Sequence, residues 1–318
     1  MTADAGASRS RTTGLLHSMR VGYSRRPRSP HWSVTLGIST FLLICLAIAI
    51  APLVMPQNPN TQDLSARLAM PSTDHLLGTD AFGRDVLSRL LAGGRFSVTI
   101  AFITLVLSTV LGTVMGIVCG RRGGFIDEVF MRVSDVLLAF PDILLALVLI
   151  AILGSGPKTV ILAMTVVGWT AFARLARTLT LEINTRGFIE AARALGCSQR
   201  FITMRHVLPN TMNPIMALAL SRFSYQLVTV GSLSYLGLGV QPPDSDWGSM
   251  LADGQPYMQQ TPLLVLIPGL AIFVTALSLT LAGQGLSRRA NRIVQSSGGP
   301  GGPTMEGELL PHESLRPH

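Results

Sequence analysis

The sequence predicts an all-α polytopic transmembrane helical bundle, and three observations predict it. Only 13% of the 318 residues are Asp, Glu, Lys or Arg, about half the share found in an ordinary soluble chain. Hydrophobic residues reach 48% and the mean hydropathy is +0.46. These apolar residues are gathered into runs long enough to span a bilayer, about 20 residues at 1.5 Å rise across roughly 30 Å of hydrocarbon. A chain of this length could otherwise form two soluble domains, but it has too little charge to cover them.

Six runs are predicted as spans. The first is Ser33–Met55 and the second Phe96–Cys119, both free of charge. The third, about Val133–Leu153, carries Pro141 and Asp142. The fourth begins after Lys158 and reaches about Ala176, with Arg174 placed to snorkel at its end. The fifth, about Met212–Leu236, contains Arg222, and the sixth is Leu263–Leu286. Together they make a six-span body over residues 33–290.

The charges set the orientation. The net charge is +8 and Lys158 is the sole lysine among 25 basic residues. Six arginines lie between Arg9 and Arg28 and six between Arg174 and Arg205. These clusters abut apolar runs, so topology explains them better than nucleic acid does. The N-terminal tail 1–32, the Gly120–Arg132 turn, the Arg174–Thr211 stretch and the Arg288–Arg292 end are rich in arginine. The alternate loops are not. Gln57–Arg95 balances four Arg with four Asp, and Gly237–Pro262 has three Asp and no base. Basic loops face the cytoplasm, so both termini are expected inside. The first span has a basic flank and an apolar run too long for a secretory signal, and reads as an uncleaved anchor. Residues 296–318, rich in Gly and Pro, are expected to be disordered. Cys45, Cys119 and Cys197 are too far apart for a metal-ligand or disulfide pattern.

The inner loop between the fourth and fifth spans is the informative one, at about 184–210. Phe188, Ala191, Ala192 and Leu195 recur at helical spacing on one face. Gly196 can supply a left-handed stop and Ser198 can cap a second helix. In that helix Phe201, Met204 and Leu208 share a face, and Pro209 is expected to mark re-entry into the membrane. An apolar face of this kind calls for a partner protein. By periodicity alone, an amphipathic loop lying on lipid headgroups fits equally well.

The motif separates the two. Glu190-Ala191-Ala192, then Gly196, then Leu208-Pro209 resembles the EAA loop of ABC importer permeases. His206 stands where many members have isoleucine, a departure that the peptide-transporter branch shares. His75 to Arg95, including Leu77-Gly78-Thr79-Asp80 and Gly83-Arg84-Asp85, is similar to the segment entering the second span of dipeptide/oligopeptide/nickel permeases. Ser234 to Pro243 followed by Asp246-Trp247-Gly248 resembles their outer loop, and Asp135 with Ala139-Phe140-Pro141 also fits. The matches run in family order from about 70 to 290 and resemble the C-type permease.

The resemblance implies a type I importer fold and a set of partners. These are a second, B-type permease, two ABC ATPase subunits and an extracytoplasmic binding protein. It implies no cofactor in this chain, with ATP and Mg on the ATPases, and a bacterial plasma membrane location. Peptides are the expected cargo, with nickel chelates or glutathione as alternatives on the same scaffold. Glu190, Ala191, Ala192, Gly196, Leu208 and Pro209 are the coupling-loop candidates.

Polar residues inside apolar runs are costly and usually face a partner or a water path. Arg222 is the clearest, with Tyr225 and Gln226 at i+3 and i+4 on one expected polar face, and Val230 stands where relatives often carry glutamate. Arg222, Tyr225 and Gln226 are translocation-path candidates, and an arginine that snorkels inward or pairs with the partner permease fits Arg222 equally well. Asp142 is a fourth, although a structural cap on the helix restarting after Pro141 is favoured over a substrate contact. In the outer segment Asp80, Arg84 and Asp85 either pair locally or meet the binding protein.

Two phosphate-loop look-alikes are declined. In Gly154-Ser155-Gly156-Pro157-Lys158-Thr159 the proline removes a donor and the glycine spacing is wrong. Leu91-Ala92-Gly93-Gly94-Arg95 stands without any other nucleotide-binding element. The chain is therefore not expected to hydrolyse ATP. An ion-coupled secondary transporter is the competing class, but no internal repeat supports it.

Overall fold

In a computed structural model of the chain, residues 31–55 and 57–297 are described. The basic tail before them and the C-terminal tail after them lie outside the described residues. The helix α1 (His31–Val54) leads into an irregular segment and then α2 (Val86–Arg122). Next come α3 (Gly124–Leu138), α4 (Asp142–Leu153) and α5 (Pro157–Asn184). Two short helices, α6 (Gly187–Ala194) and α7 (Gln199–Ile202), precede α8 (Leu208–Tyr235). The chain ends its described part with α9 (Trp247–Gly254) and α10 (Leu263–Ser297). No strand occurs among the described residues beyond one isolated bridge, Thr79 to Asp85.

Four helices, α1, α2, α5 and α10, are long and apolar enough to cross a membrane, and α3 with α4 makes a fifth if that bent pair is one span. The predicted third span is thus corrected: it is two helices bent by 95°. Proline explains the break, since Pro141 lacks an N–H and drives Phe140 out of helical backbone. Alone, α4 has 12 residues, about 18 Å and too short to span. The helix α8 has 28 residues, about 42 Å, but its Asn, Ser, Thr, Gln and Arg content keeps it outside the four.

The centre of the bundle is the α2–α5 seam. Gly112, Gly116 and Gly120 recur every fourth residue and so line one stripe of α2. A Cβ at Gly112 would stand 2.3 Å from the Trp169 carbonyl oxygen, and one at Gly116 would stand 2.3 Å from that of Ala173. Only glycine lets the two backbones approach so closely, and this is how helices gain packing where no water is available to drive them together. Phe172, Ala173 and Ala176 fill the other side of the seam and are buried. On α8, Phe223 carries the core outward, with its ring edge-on to Phe41 of α1 at 5.7 Å and tilted against Phe102 of α2 at 6.1 Å.

The fourth predicted span ends too early. The helix α5 continues to Asn184, and Arg174 has partners on α3. It donates to the Asp135 carboxylate and to Ser134 Oγ at 3.4 Å. One turn on, Arg177 grips Asp127 through two bonds of 2.5 and 2.6 Å. Both acids belong to α3, so two charge-assisted pairs fasten α3 along the basic end of α5.

At the other end, α9 is a short helix plugged between α2, α8 and α10. Asp246 caps it with a reciprocal capping box to Ser249. The Trp247 indole N–H donates to the Leu90 carbonyl at 2.9 Å, and its backbone N–H donates to Ser97 Oγ at 3.0 Å. Gly94 makes room for that ring, because a Cβ there would lie 2.7 Å from it.

Candidate functional site

Three clusters contain the residues singled out from the sequence. The first is the hairpin of α6 and α7. Gly196 has φ +77°, and the Gly196 N–H donates to Arg193 and the Cys197 N–H to Ala192, each at 3.0 Å. That pair of bonds is a Schellman stop, and glycine adopts it without a Cβ penalty. Ser198 Oγ then accepts from the Phe201 N–H at 3.3 Å, capping the second helix as the sequence predicts.

The two faces of the hairpin differ. Ile189, Ala192, Ile202 and Val207 are buried in the bundle core. Phe188, Leu195, Phe201 and Met204 are exposed, Leu195 at 84%. Glu190 and Ala191 are exposed beside them, and nothing lies within 4 Å of a Cβ built on Gly196. Ala192 is therefore part of the inward face, not the outward one. His206 sits between the rings of Phe188 and Phe201, 5.8 and 6.0 Å away.

Pro209 does not interrupt the chain's helical course. Helix runs from Gln199 to Tyr235 through a π turn at Thr203–Val207, in which the Leu208 N–H reaches back to the Thr203 carbonyl. The wider turn accommodates a proline whose N–H is missing. It also shifts the register, so Leu208 packs against the core while Phe201 and Met204 stay outside. The expected shared face of these three residues is corrected accordingly.

The second cluster joins α4 and α8. Tyr225 Oη donates to Asp142 Oδ2 at 3.2 Å, and the Arg222 guanidinium lies 5.7 Å from the centroid of the Tyr225 ring. Asp142 is the first residue of α4 and accepts no capping bond; its carboxylate points to another helix instead. Gln226 departs from the expected polar face. It is 3% exposed and faces Gly168 and Ser108, between α2 and α5. Tyr225, by contrast, is 43% exposed, so the four residues split into an accessible trio and one core glutamine.

The third cluster is at the start of α2. Asp85 caps α2, accepting from the Ser88 N–H at 2.8 Å, and also pairs with His75 Nδ1 at 3.1 Å. Asp80 accepts from Arg84 Nε at 2.6 Å and from the backbone N–H groups of Phe82 and Arg84. All three predicted residues pair locally. Sequence reasoning missed two others, Arg89 and Asp253, which join the same cluster at 3.5 Å. Asp253 comes from α9, far along the chain, and no local pattern announces it. Burial pushes its carboxyl up, with Arg89 and Arg84 opposing. The Asp246 carboxyl is also pushed up by burial, with bonds from Ser234 and Ser249 opposing.

The remaining signal concerns whole-chain likeness. Residues 112–292 match the family described as binding-protein-dependent transport system inner membrane component. The chain belongs to that family. It is an ABC importer permease, a transport subunit that is not itself an enzyme. It is 38% identical over 262 residues to the glutathione transport system permease protein GsiD of Pectobacterium atrosepticum, covering 82% of this chain and 87% of that one. The Shigella flexneri protein of the same name is 39% identical, with 82% and 86% covered. Among solved structures, a chain of the MetNI methionine ABC transporter in an inward-facing conformation matches with TM-score 0.51 at 19% identity. That match covers 64% of this chain and 97% of the other and speaks for the fold alone. The permease is thus a multi-pass membrane protein whose family works with a second permease, ATPases and a binding protein.

Proposed function

We propose that the permease spans the bacterial inner membrane six times, through α1, α2, the broken α3–α4 pair, α5, α8 and α10, with both termini in the cytoplasm. The loop charges support this orientation, because the α6–α7 hairpin and the α3–α5 ion pairs then share the basic, cytoplasmic side. The hairpin docks on an ATPase subunit that carries ATP and Mg, and the ATPase acts by favouring one conformation of the bundle over another. Glu190, Ala191 and Gly196 form the contact with Phe188, Leu195, Phe201 and Met204. Leu208 and Pro209 join the hairpin to α8. The permease pairs with a B-type permease and receives its cargo from an extracytoplasmic binding protein.

The observation that carries this reading is the exposed apolar face of a hairpin whose own turn is fully hydrogen-bonded. Such a face is held by its own turn and is unpartnered among the described residues. The cargo is a short peptide or a peptide-like anion of the glutathione kind. The names of the relatives support this, and so does the accessible trio Arg222, Tyr225 and Asp142, which lines the route on α8 and α4.

Ala191→Asp tests the docking. Ala191 is exposed and contributes no internal packing, so the expected result is an unchanged Tm and normal insertion. ATP-dependent uptake into proteoliposomes should fall by about tenfold or more, as expected for a charge desolvated against an apolar groove. Normal uptake by this variant would overturn the coupling assignment.

A further inference from the structure

The outer cluster holds two buried guanidinium groups, and the pairing of one of them is incomplete. Arg84 and Arg89 are 6% and 3% exposed. Arg84 is well served: its Nε reaches Asp80 at 2.6 Å, and its guanidinium stacks 4.7 Å from the Phe82 ring centroid. Arg89 is not. Its contacts are Nε to Asp80 and Nη2 to Asp253, both at 3.5 Å, and Nη1 is buried with no partner among the described residues. A guanidinium presents five donors in a planar fork. Leaving such a buried charge half-satisfied costs several kcal/mol.

Asp80 can do little more, and Asp253 reaches the arginines through one oxygen at long range. One oxygen of Asp80 is taken by the N–H groups of Phe82 and Arg84. The other is held by Arg84 Nε. Asp253 shares one oxygen between two arginines at 3.5 Å, and its side chain is 51% exposed. These four charged residues line a cavity of about 260 Å³, together with Phe82 and Tyr257 and an apolar floor that includes Met250 and Leu264. That size suits a few heavy atoms rather than a whole drug-sized ligand.

We propose that this cavity is a carboxylate site, taking the carboxylate end of a small organic acid or short peptide, with Arg89 as its principal donor. The entering carboxylate offers two acceptor oxygens to the guanidinium fork, the geometry in which Arg–carboxylate pairs are strongest. Its short carbon stem lies on Met250 and Leu264. Asp253, loosely held and half-exposed, is the intramolecular competitor that swings out. The site faces outward through the topology proposed above; whether it binds does not depend on that topology or on transport.

The test is binding to the full chain in lipid nanodiscs, read by calorimetry and by thermal shift, with no ATPase present. The probes are acetate, diglycine and diglycine amide. The expected result is binding of diglycine or acetate at about 1 mM with none by the amide. Diglycine alone marks a peptide end, and acetate alongside it marks carboxylates in general. Arg89→Gln should weaken binding by about tenfold or more, and Arg89→Lys, which keeps the charge but loses the fork, by a smaller factor. Asp253→Asn should tighten binding several-fold, because the competitor is gone. A structural role for the cluster would not produce that gain. Equal binding of the amide, no binding by any probe, or no tightening in Asp253→Asn would overturn the proposal. ATP-dependent uptake is measured separately, so its failure would overturn the importer reading without touching this one.

Discussion

The two ends of the bundle solve opposite problems with similar materials. At the end proposed to face outward, Asp85 accepts from Ser88, Trp247 donates to Leu90, Asp246 caps Ser249 and Asp80 pairs with Arg84. Trp247 of α9 is covered there, at 3% exposure, while Phe82 and Met258 are exposed. At the inner end, the backbone of the hairpin is equally well closed by the Gly196 stop and the Ser198 cap, but Phe188, Leu195, Phe201 and Met204 are left outside. The backbone is held at both ends, but the large apolar side chain of α9 is covered and those of the hairpin are not. An apolar face held by a closed turn is what the proposed docking on an ATPase subunit requires.

This contrast can be broken by substitution. Trp247→Ala removes a large buried side chain, its bond to Leu90 and its packing on Gly94, and should cost about 3–5 kcal/mol. A steep fall in Tm in nanodiscs checks it. The exposed Ala191→Asp change should move Tm by less than about 0.5 kcal/mol equivalent. Comparable losses in both would mean that the two ends are not different in kind.

Arg222→Gln is expected to have a smaller effect, and on a different readout. It removes the cation beside Tyr225 and should lower uptake of anionic peptides several-fold, about 1 kcal/mol, while neutral peptides change little. Competition uptake assays measure the ratio. An unchanged preference would remove the α4–α8 trio from the route.

The smallest expected effect concerns pH. Because burial raises the Asp246 carboxyl in the folded protein, the folded state holds that proton to higher pH than the unfolded chain does. The stability contributed by this group is therefore fully present below the unfolded carboxylate pKa and is lost as pH rises through the raised value. Asp246→Asn keeps one acceptor for the Ser249 N–H and should cost about 1 kcal/mol. It should also flatten the Tm profile as pH rises above the ordinary carboxylate range, about pH 4. A profile parallel to that of the unmodified chain would remove Asp246 from the pH response.

Much of the hairpin was legible in the sequence because its signals are local. Gly196 and Ser198 sit where a left-handed stop and an N-cap are needed, and the apolar spacing of Phe188, Ala191 and Leu195 is helical. The register beyond Met204 was not legible. A π turn adds a residue to the helical repeat without leaving a mark in composition, so Leu208 was expected outside and packs inside. Gln226 failed for a related reason: i+3 and i+4 neighbours of Arg222 share a face only approximately, and the tight packing of α5 against α8 at Gly168 divides them.

The sequence by itself determined that this chain is a bundle of apolar helices, which loops carry its positive charge, and where its inner hairpin turns. Those properties follow from hydropathy, charge placement and backbone preference, each of which acts over a few residues. Tertiary structure alone decided that α3 turns away from α4 by 95°, that the Gly112–Gly116–Gly120 stripe meets α5, and that Asp253 reaches Arg84 and Arg89. Those depend on which helix lies beside which, and close approach of distant backbones is settled by packing rather than by any run of neighbouring residues.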